Sequence, residues 1–592
     1  MHTITNAFLE TCEKRGDKYG LSWKEDGKPY QSITWGKVYE MVTDFVNGLK
    51  KLGFEKDSRI AILEKNSPQW LITDVSSQFL SGINVPIYNS STPKQIEFLL
   101  NHSECSFIVI GEKFQYSKLE EIRTSLNKEI TAIVVDTRGM EGGDYLSFED
   151  VMKLGRENPS VRLEDLDKNV GEDDIISFVY TSGTTGNQKG VMLSHKNFFC
   201  NINGLKDLYP ITKDDVILSF LPLSHVLERL ASHFHEIYLG SHIMYAESIE
   251  KVSENLLEAK PTIMISVPRL YEQILKKIRN TVRKSPPLKQ KIFHITTRAA
   301  IKKVYCDLEN KKVPFMTAQL AKLADKLVFK AIREKVGGRL KFFVSGGAPL
   351  SVEAIEFFFA AGLIIYEGYG LTETSPVISS NRPGRVKFGS VGLPIPKIEV
   401  KIADDGEILV KGDLVMKGYY KNEEETREVF DDEGWFKTGD IGFIDRNGFI
   451  TITDRKKNII VMSNGKNVAP SPIENQILSL SYLSQVIVLG DNEKFLAALI
   501  VPDKDAFSNI VSERLGISLP YEEMLKNDKV IRMVKEDIDG QMKDFAFFER
   551  IKKISLLPKE WTEESGELTP TKKVKRRIIE ANNKALIKKL FS

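Results

Sequence analysis

The run Tyr180-Thr181-Ser182-Gly183-Thr184-Thr185-Gly186-Asn187-Gln188-Lys189-Gly190 sets four small hydroxyl residues, three glycines and one lysine close together. Glycines let a backbone turn its N–H groups toward an anion, and Ser/Thr hydroxyls add donors. A lysine supplies a point charge that follows a moving phosphate. The chemistry is that of a phosphate grip, but not of a Walker A loop, because Lys189 precedes Gly190 with no Ser or Thr after it. On its own this composition also suits a surface linker. A second constellation is Glu367-Gly368-Tyr369-Gly370-Leu371-Thr372-Glu373-Thr374. A tyrosine between glycines lays its ring on a flat base, Thr372 holds a phosphate oxygen, and Glu373 is a hard oxygen ligand suited to Mg²⁺. The same letters also make a tight turn with an exposed acid. Asp440 in Thr438-Gly439-Asp440-Ile441-Gly442 reads, taken singly, as a turn former. The basic run 572–577 reads, taken singly, as a solvated helix end.

These groups need a scaffold. Apolar runs at 59–63, 107–110, 132–136, 175–180, 216–220, 262–267, 341–345 and 363–366 read as strands, with helical stretches such as 93–101 between them. Residues 35–49 place Trp35, Val38, Met41, Val42, Phe45 and Leu49 in one helical stripe. Strand alternating with helix implies an α/β fold of layered, mainly parallel sheets. From about 389 the texture changes to short strands with Gly/Asp turns, at 407–410, 434–437 and 449–453, implying a small β-rich subdomain. Strands at 485–489 and 496–501, then Lys/Glu-rich helices, make a second α/β piece.

The length of 592 residues exceeds one core, so two or more domains are expected. A net charge of +2 argues against a dedicated nucleic-acid binder. Cys12, Cys105, Cys200 and Cys306 lack metal or redox spacing and read as reduced thiols. No signal-peptide pattern opens the chain and no run of about 18 apolar residues occurs. The expected compartment is the cytoplasm.

The first loop resembles, nearly letter for letter, the signature loop of the adenylate-forming superfamily, which includes acyl-CoA synthetases, luciferases and peptide-synthetase adenylation domains. The other motifs recur in that family's order. The resemblance implies a large N-terminal domain, 1–453, a hinge at 454–457 pivoting on Lys457, and a small mobile C-terminal cap, 458–592. It implies that Thr181, Ser182, Gly183, Thr184, Thr185, Gly186 and Lys189 hold the ATP phosphates, with Thr184 and Glu373 at the metal. Gly347, Ala348 and Pro349, in Gly346-Gly347-Ala348-Pro349, would meet the adenine. So would Glu367, Gly368, Tyr369 and Gly370, with Thr372 on the α-phosphate. Asp440 would accept from the ribose hydroxyls and Arg455 would contact ribose and phosphate. Gly465 and Lys466, in the segment 458–467, would line the CoA path, although Asn458 stands where the family commonly has an acid. Near the end, Leu568-Thr569-Pro570-Thr571-Lys572-Lys573-Val574 aligns Lys573 with the catalytic lysine; Lys572 fills a glycine position, so the adjacent lysine is the alternative.

Leu221-Pro222-Leu223-Ser224-His225-Val226-Leu227-Glu228-Arg229 resembles the long-chain version of the family's fourth motif, which would set His225 and Arg229 at the acyl pocket. The helix-rich stretch 271–340 resembles the long-chain group's insertion. The expected activity is a long-chain fatty acid–CoA ligase using ATP, Mg²⁺ and coenzyme A. Its rivals are a ligase for another carboxylic acid and a non-catalytic nucleotide-binding homologue. Residues 276–312 carry twelve Lys/Arg against Asp307 and Glu309, a surface expected to touch anionic membrane.

Overall fold

The computed structural model describes residues 3–25, 27–182, 188–569 and 574–592. The chain divides into two compact units: Met1–Lys401 with Leu409–Lys437 and Asp445–Ile450, and Ile402–Ile408 with Thr438–Ile444 and Thr451–Ser592.

Two large sheets build the first unit. One has eight strands in the order Gly418–Tyr419, Gln188–Ser194, Ile175–Ser182, Ile83–Pro86, Arg59–Leu63, Phe107–Ile110, Thr131–Val134 and Leu146–Ser147. It is parallel from Ile175–Ser182 onward, and antiparallel at the Gln188–Ser194 end. Ile60, Ala61, Ile62 and Leu63 are all buried, as are Phe107 to Ile110, which is why these strands read as unbroken apolar runs. The second sheet has nine strands, with Ile365–Gly370, Phe342–Ser345, Ile263–Ser266, Val216–Ser219, His242–Tyr245 and Tyr19–Trp23 parallel in that order. Helix Trp35–Lys51 starts on Thr34, whose hydroxyl accepts from the Lys37 N–H, and buries Trp35, Val38, Val42, Phe45 and Leu49. Met41, expected on that stripe, lies at its half-buried margin.

The stretch 271–340 folds as helices Pro268–Arg283, Pro287–Leu308 and Phe315–Ala324, with a short extension to Glu334. Tyr271, Leu275, Ala300, Ala321, Ala324 and Phe329 join Phe343, Phe357 and Phe358 in a separate apolar cluster. In the second unit a three-stranded sheet, Leu483–Leu489, Leu496–Pro502 and Ile551–Leu556, packs on helices Pro470–Leu478, Lys504–Leu515 and Asp528–Gln541 around Val486, Val488, Ile500, Phe507 and Val534. A four-stranded sheet, Glu399–Ile402, Glu407–Lys411, Phe436–Ile444 and Ile450–Arg455, is the β-rich piece read from the sequence.

Candidate active site

In the first unit the two ends of the phosphate-grip sequence lie on antiparallel strands, with Thr181 paired to Lys189 and Ser182 to Gln188. Gly183, Thr184, Thr185 and Gly186 lie outside the described residues. Lys189 stands where the second strand begins. Its Nζ is 2.8 Å from Glu425 and 5.0 Å from the ring centroid of Tyr419.

In the second sheet, Phe342–Ser345 and Ile365–Gly370 are parallel neighbours, with Ser345 opposite Glu367. Their C-terminal ends therefore bring the Gly347-Ala348-Pro349 turn beside Glu367-Gly368-Tyr369-Gly370. Sequence reading expected the second motif to follow its strand; instead Glu367, Gly368, Tyr369 and Gly370 are the strand's last residues. Gly347 takes φ +82, the left-handed region that excludes most side chains. The Leu350 N–H donates to Glu367 Oε1 at 3.2 Å, tying the two motifs together. Burial pushes the Glu367 carboxyl up to about 7. Gly370 has no alternative: a Cβ there would meet the Pro376 carbonyl oxygen at 1.7 Å. The turn Thr372–Thr374 follows, and Glu373 accepts a hydrogen bond from the Tyr419 hydroxyl on Oε1 at 2.9 Å and from the Met416 N–H on its carbonyl at 2.8 Å.

The second unit carries a separate cluster. Thr438 to Gly442, read as a turn, lies inside strand Phe436–Ile444, with Gly439 at φ +73. The Gly439 N–H donates to Glu407 Oε1 at 2.8 Å and the Thr438 hydroxyl to the Ile408 carbonyl at 2.7 Å, which fixes the buried Asp440 between them. Arg455 Nε is 3.1 Å from Asp440 Oδ1, so the two residues assigned to the ribose by resemblance are already an ion pair. Lys456 bridges Asp405 at 2.6 Å and Glu407 at 2.7 Å, and the exposed Lys457 follows on the turn Lys456–Asn458. Gly465 closes the hairpin of Ile460–Val461 and Asn467–Val468 at φ +79, so the turn itself requires glycine there. Lys466 Nζ sits 4.0 Å over the Phe548 ring. Lys572 and Lys573 lie outside the described residues. Their flanks are anchored: Leu568 bridges Val574, and Arg576 donates to Glu474 at 2.5 Å and to the Val488 carbonyl at 2.6 Å.

The two residues expected at an acyl pocket part company. His225 is half-buried and its Nδ1 accepts the Leu227 N–H at 3.2 Å, capping a short helix. Arg229 is fully buried and turned into the core. Its Nε and Nη2 donate to Asp74 at 2.8 and 2.5 Å, Nη1 donates to Ser177 at 2.7 Å, and its guanidinium lies 4.9 Å from the Phe234 ring. A fork so committed braces the first unit's core; it does not line a pocket. Sequence reading also missed Tyr419 and Glu425. The only signals were a Gly-Tyr-Tyr step and a Glu423-Glu424-Glu425 run, which looks like a solvated helix start.

As to metal, among the described residues no group of three or more His, Cys, Asp or Glu stands together as a cation cage. The Glu373 carboxylate, with Oε1 held by the Tyr419 hydroxyl, would suit Mg²⁺ in the other manner, as one carboxylate shared with substrate phosphates.

Comparison with known proteins meets this geometry. The profile described as AMP-binding enzyme matches residues 8–420, and that described as AMP-binding enzyme C-terminal domain matches 457–592. The chain is 34% identical to the long-chain-fatty-acid–CoA ligase FadD15 of Mycobacterium bovis, over 93% of this chain and 90% of that one. It is 33% identical to the peroxisomal long chain acyl-CoA synthetase 6 of Arabidopsis thaliana, over 92% and 80%. The fold is that of ATP-bound MatB from Rhodopseudomonas palustris, with TM-score 0.71 at 22% identity over 98% and 99% of the two chains. It is likewise that of the o-succinylbenzoate coenzyme A synthetase of Bacillus subtilis, with TM-score 0.69 at 20% identity over 97% and 98%. The chain belongs to the AMP-binding enzyme family.

Proposed function

We propose that this protein is a long-chain fatty acid–CoA ligase that works through an acyl-adenylate. The observation that carries the reading is the alignment of nine-tenths of the chain with ligases named for long-chain fatty acids. In the first step a carboxylate oxygen attacks the α-phosphorus of ATP and pyrophosphate leaves. In the second the CoA thiolate attacks the acyl carbon and AMP leaves with the bridging oxygen. Such chemistry is mostly positioning and charge stabilisation. The segment 181–189 holds the phosphates through its hydroxyls and Lys189. The Gly347-Ala348-Pro349 turn and Glu367-Gly368-Tyr369-Gly370 receive the adenine, and Thr372 the α-phosphate. Asp440 and Arg455 orient the ribose. Lys573 neutralises charge as pyrophosphate departs. His225 stays with the acyl pocket; Arg229 does not.

Glu373 and Thr184 would hold Mg²⁺, which when bound offsets phosphate charge. Gly465 and Lys466 border the CoA path. The cap, 458–592, turns about Lys457 between the steps, since each step needs different partners at one adenylate.

No helix among the described residues is long and apolar enough to cross a membrane. We place the enzyme in the cytoplasm, with the 276–312 surface against anionic lipid. Arg279 pairs with Glu353, Lys303 with Asp307 and Lys311 with Glu309, so part of the patch is neutralised. In compensation, Leu288, Ile292 and Ile295 are exposed on helix Pro287–Leu308 and Phe315 and Met316 on helix Phe315–Ala324, giving apolar anchors among the lysines.

The test is pyrophosphate and AMP release from ATP with CoA and a series of acids from acetate to palmitate, with benzoate and amino acids as the rival substrates. Turnover rising toward palmitate is expected. Preference for an aryl or amino acid would overturn the long-chain assignment.

A further inference from the structure

The segment 416–426 joins the strand of Lys189 to the turn of Glu373, and it does so with side chains as well as backbone. Gly418 and Tyr419 pair with Met192 and Val191, and the Tyr420 N–H donates to the Gly190 carbonyl at 2.8 Å. At its start, the Met416 N–H holds the Glu373 carbonyl. At its end, Asn422 caps the turn of Glu425: its Oδ1 accepts the Glu425 N–H at 3.1 Å and its Nδ2 donates to Glu425 Oε2 at 2.6 Å. That same Oε2 is 2.8 Å from Lys189 Nζ. Lys189 lies over the face of Tyr419, whose hydroxyl reaches Glu373. Glu425, Lys189, Tyr419 and Glu373 thus form one line of anion, cation, ring and anion. The Lys189 and Glu425 side chains are only 17% and 25% exposed, so water screens their pair weakly.

We propose that Glu425 and Tyr419 are positioning residues of the adenylation step. Glu425 competes with the nucleotide's phosphates for Lys189, and Tyr419 fixes the orientation of the Glu373 carboxylate. This rests on the reading of Lys189 and Glu373 given under Proposed function. A phosphate that engages Lys189 must take it from Glu425, because a carboxylate and a phosphate beside one ammonium repel each other. The competition holds down affinity for ATP and for pyrophosphate, and so favours release of the latter. Tyr419 leaves one oxygen of Glu373 engaged and aims the other, a preorganisation that costs no motion when the substrate arrives.

The sign of the effect separates this role from a structural one. Loss of a merely structural ion pair leaves ATP binding unchanged or weakens it, whereas loss of a competitor tightens it. Equilibrium binding of ATP with saturating Mg²⁺, followed by calorimetry, should show Glu425→Gln binding about fivefold tighter, the size typical of a half-screened ion pair. Glu424→Gln, on the exposed neighbour, should match wild type. Glu425→Asp, which keeps the charge on a shorter arm, should fall between and guards against a Gln variant that fails to fold. Tyr419→Phe should raise the Mg²⁺ concentration needed for half-maximal ATP binding without changing affinity at saturating Mg²⁺. Unchanged or weaker ATP binding in folded Glu425→Gln and Glu425→Asp, with wild type binding normally, would overturn the inference alone. Absence of ATP binding by wild type would overturn the adenylate reading and this inference with it.

Discussion

Arg229→Met tests whether the fully buried arginine braces the core or serves the acyl site. The substitution keeps an unbranched stem but removes three donors, two on Asp74 and one on Ser177. Among the described residues Asp74 would then keep only the Gln78 amide at 3.0 Å and the Asn84 amide at 2.9 Å against a buried negative charge. Breaking one side of a buried ion pair costs about 3–5 kcal/mol, a large fraction of a stability of roughly 5–15 kcal/mol. Replacing both partners, Asp74→Leu with Arg229→Met, should cost less than the single change, because no uncompensated charge remains. Trp70, whose ring lies 5.6 Å from the guanidinium, makes intrinsic fluorescence in a guanidinium titration the direct readout. Undiminished stability of Arg229→Met, together with a changed preference among acyl chain lengths, would refute the argument and return Arg229 to the acyl pocket.

Burial raises the Glu228 carboxyl to about 8, with Ser219 and Ser232 donating to one oxygen. The native state therefore keeps a proton that the unfolded chain releases above its ordinary value of 4.5, and this contribution to stability falls as pH rises from there to about 8. Glu228→Gln should carry a pH-independent offset but gain on wild type across that window; parallel stability curves from pH 5 to 8 would contradict the burial argument. Lys573→Ala should slow pyrophosphate release by orders of magnitude yet spare thioester formation from supplied palmitoyl-adenylate, with Lys572→Ala mild in both assays; equal slowing of both steps would exclude the rotating-cap scheme. In liposome flotation at low salt the protein should follow anionic vesicles, with about 1 kcal/mol per engaged lysine, and detach as salt rises; equal behaviour on neutral vesicles would exclude the 276–312 surface as the contact.

The parallel sheets were legible because their strands are short, buried apolar runs, as at 60–63 and Phe107–Ile110. Strand Phe436–Ile444 was legible only at its start, since Thr438-Gly439-Asp440 carries turn chemistry and the chain bends there at Gly439 without leaving the sheet. The motifs Gly347-Ala348-Pro349 and Glu367-Gly368-Tyr369-Gly370 could be read locally because each sits at a strand end and needs its own glycine, as Gly370 does against Pro376. Arg229 could not be read, because the residue that decides its role, Asp74, is 155 positions away. Glu425 was hidden for the same reason: its neighbours on the chain are solvated acids, and its partner Lys189 arrives from another strand. For Gly183, Thr184, Thr185, Gly186 and Lys573 the assignment rests on the letters and order of their motifs.

The most direct measurement of the two-step reaction follows one oxygen. With palmitate labelled by ¹⁸O in its carboxylate, plus ATP, Mg²⁺ and CoA, the oxygen that attacks the α-phosphorus stays on AMP when the thiolate displaces it. Mass spectrometry should find a single ¹⁸O in AMP, none in pyrophosphate, and one left in the thioester carbonyl. Label in pyrophosphate or inorganic phosphate, or ADP as the nucleotide product, would contradict an acyl-adenylate route.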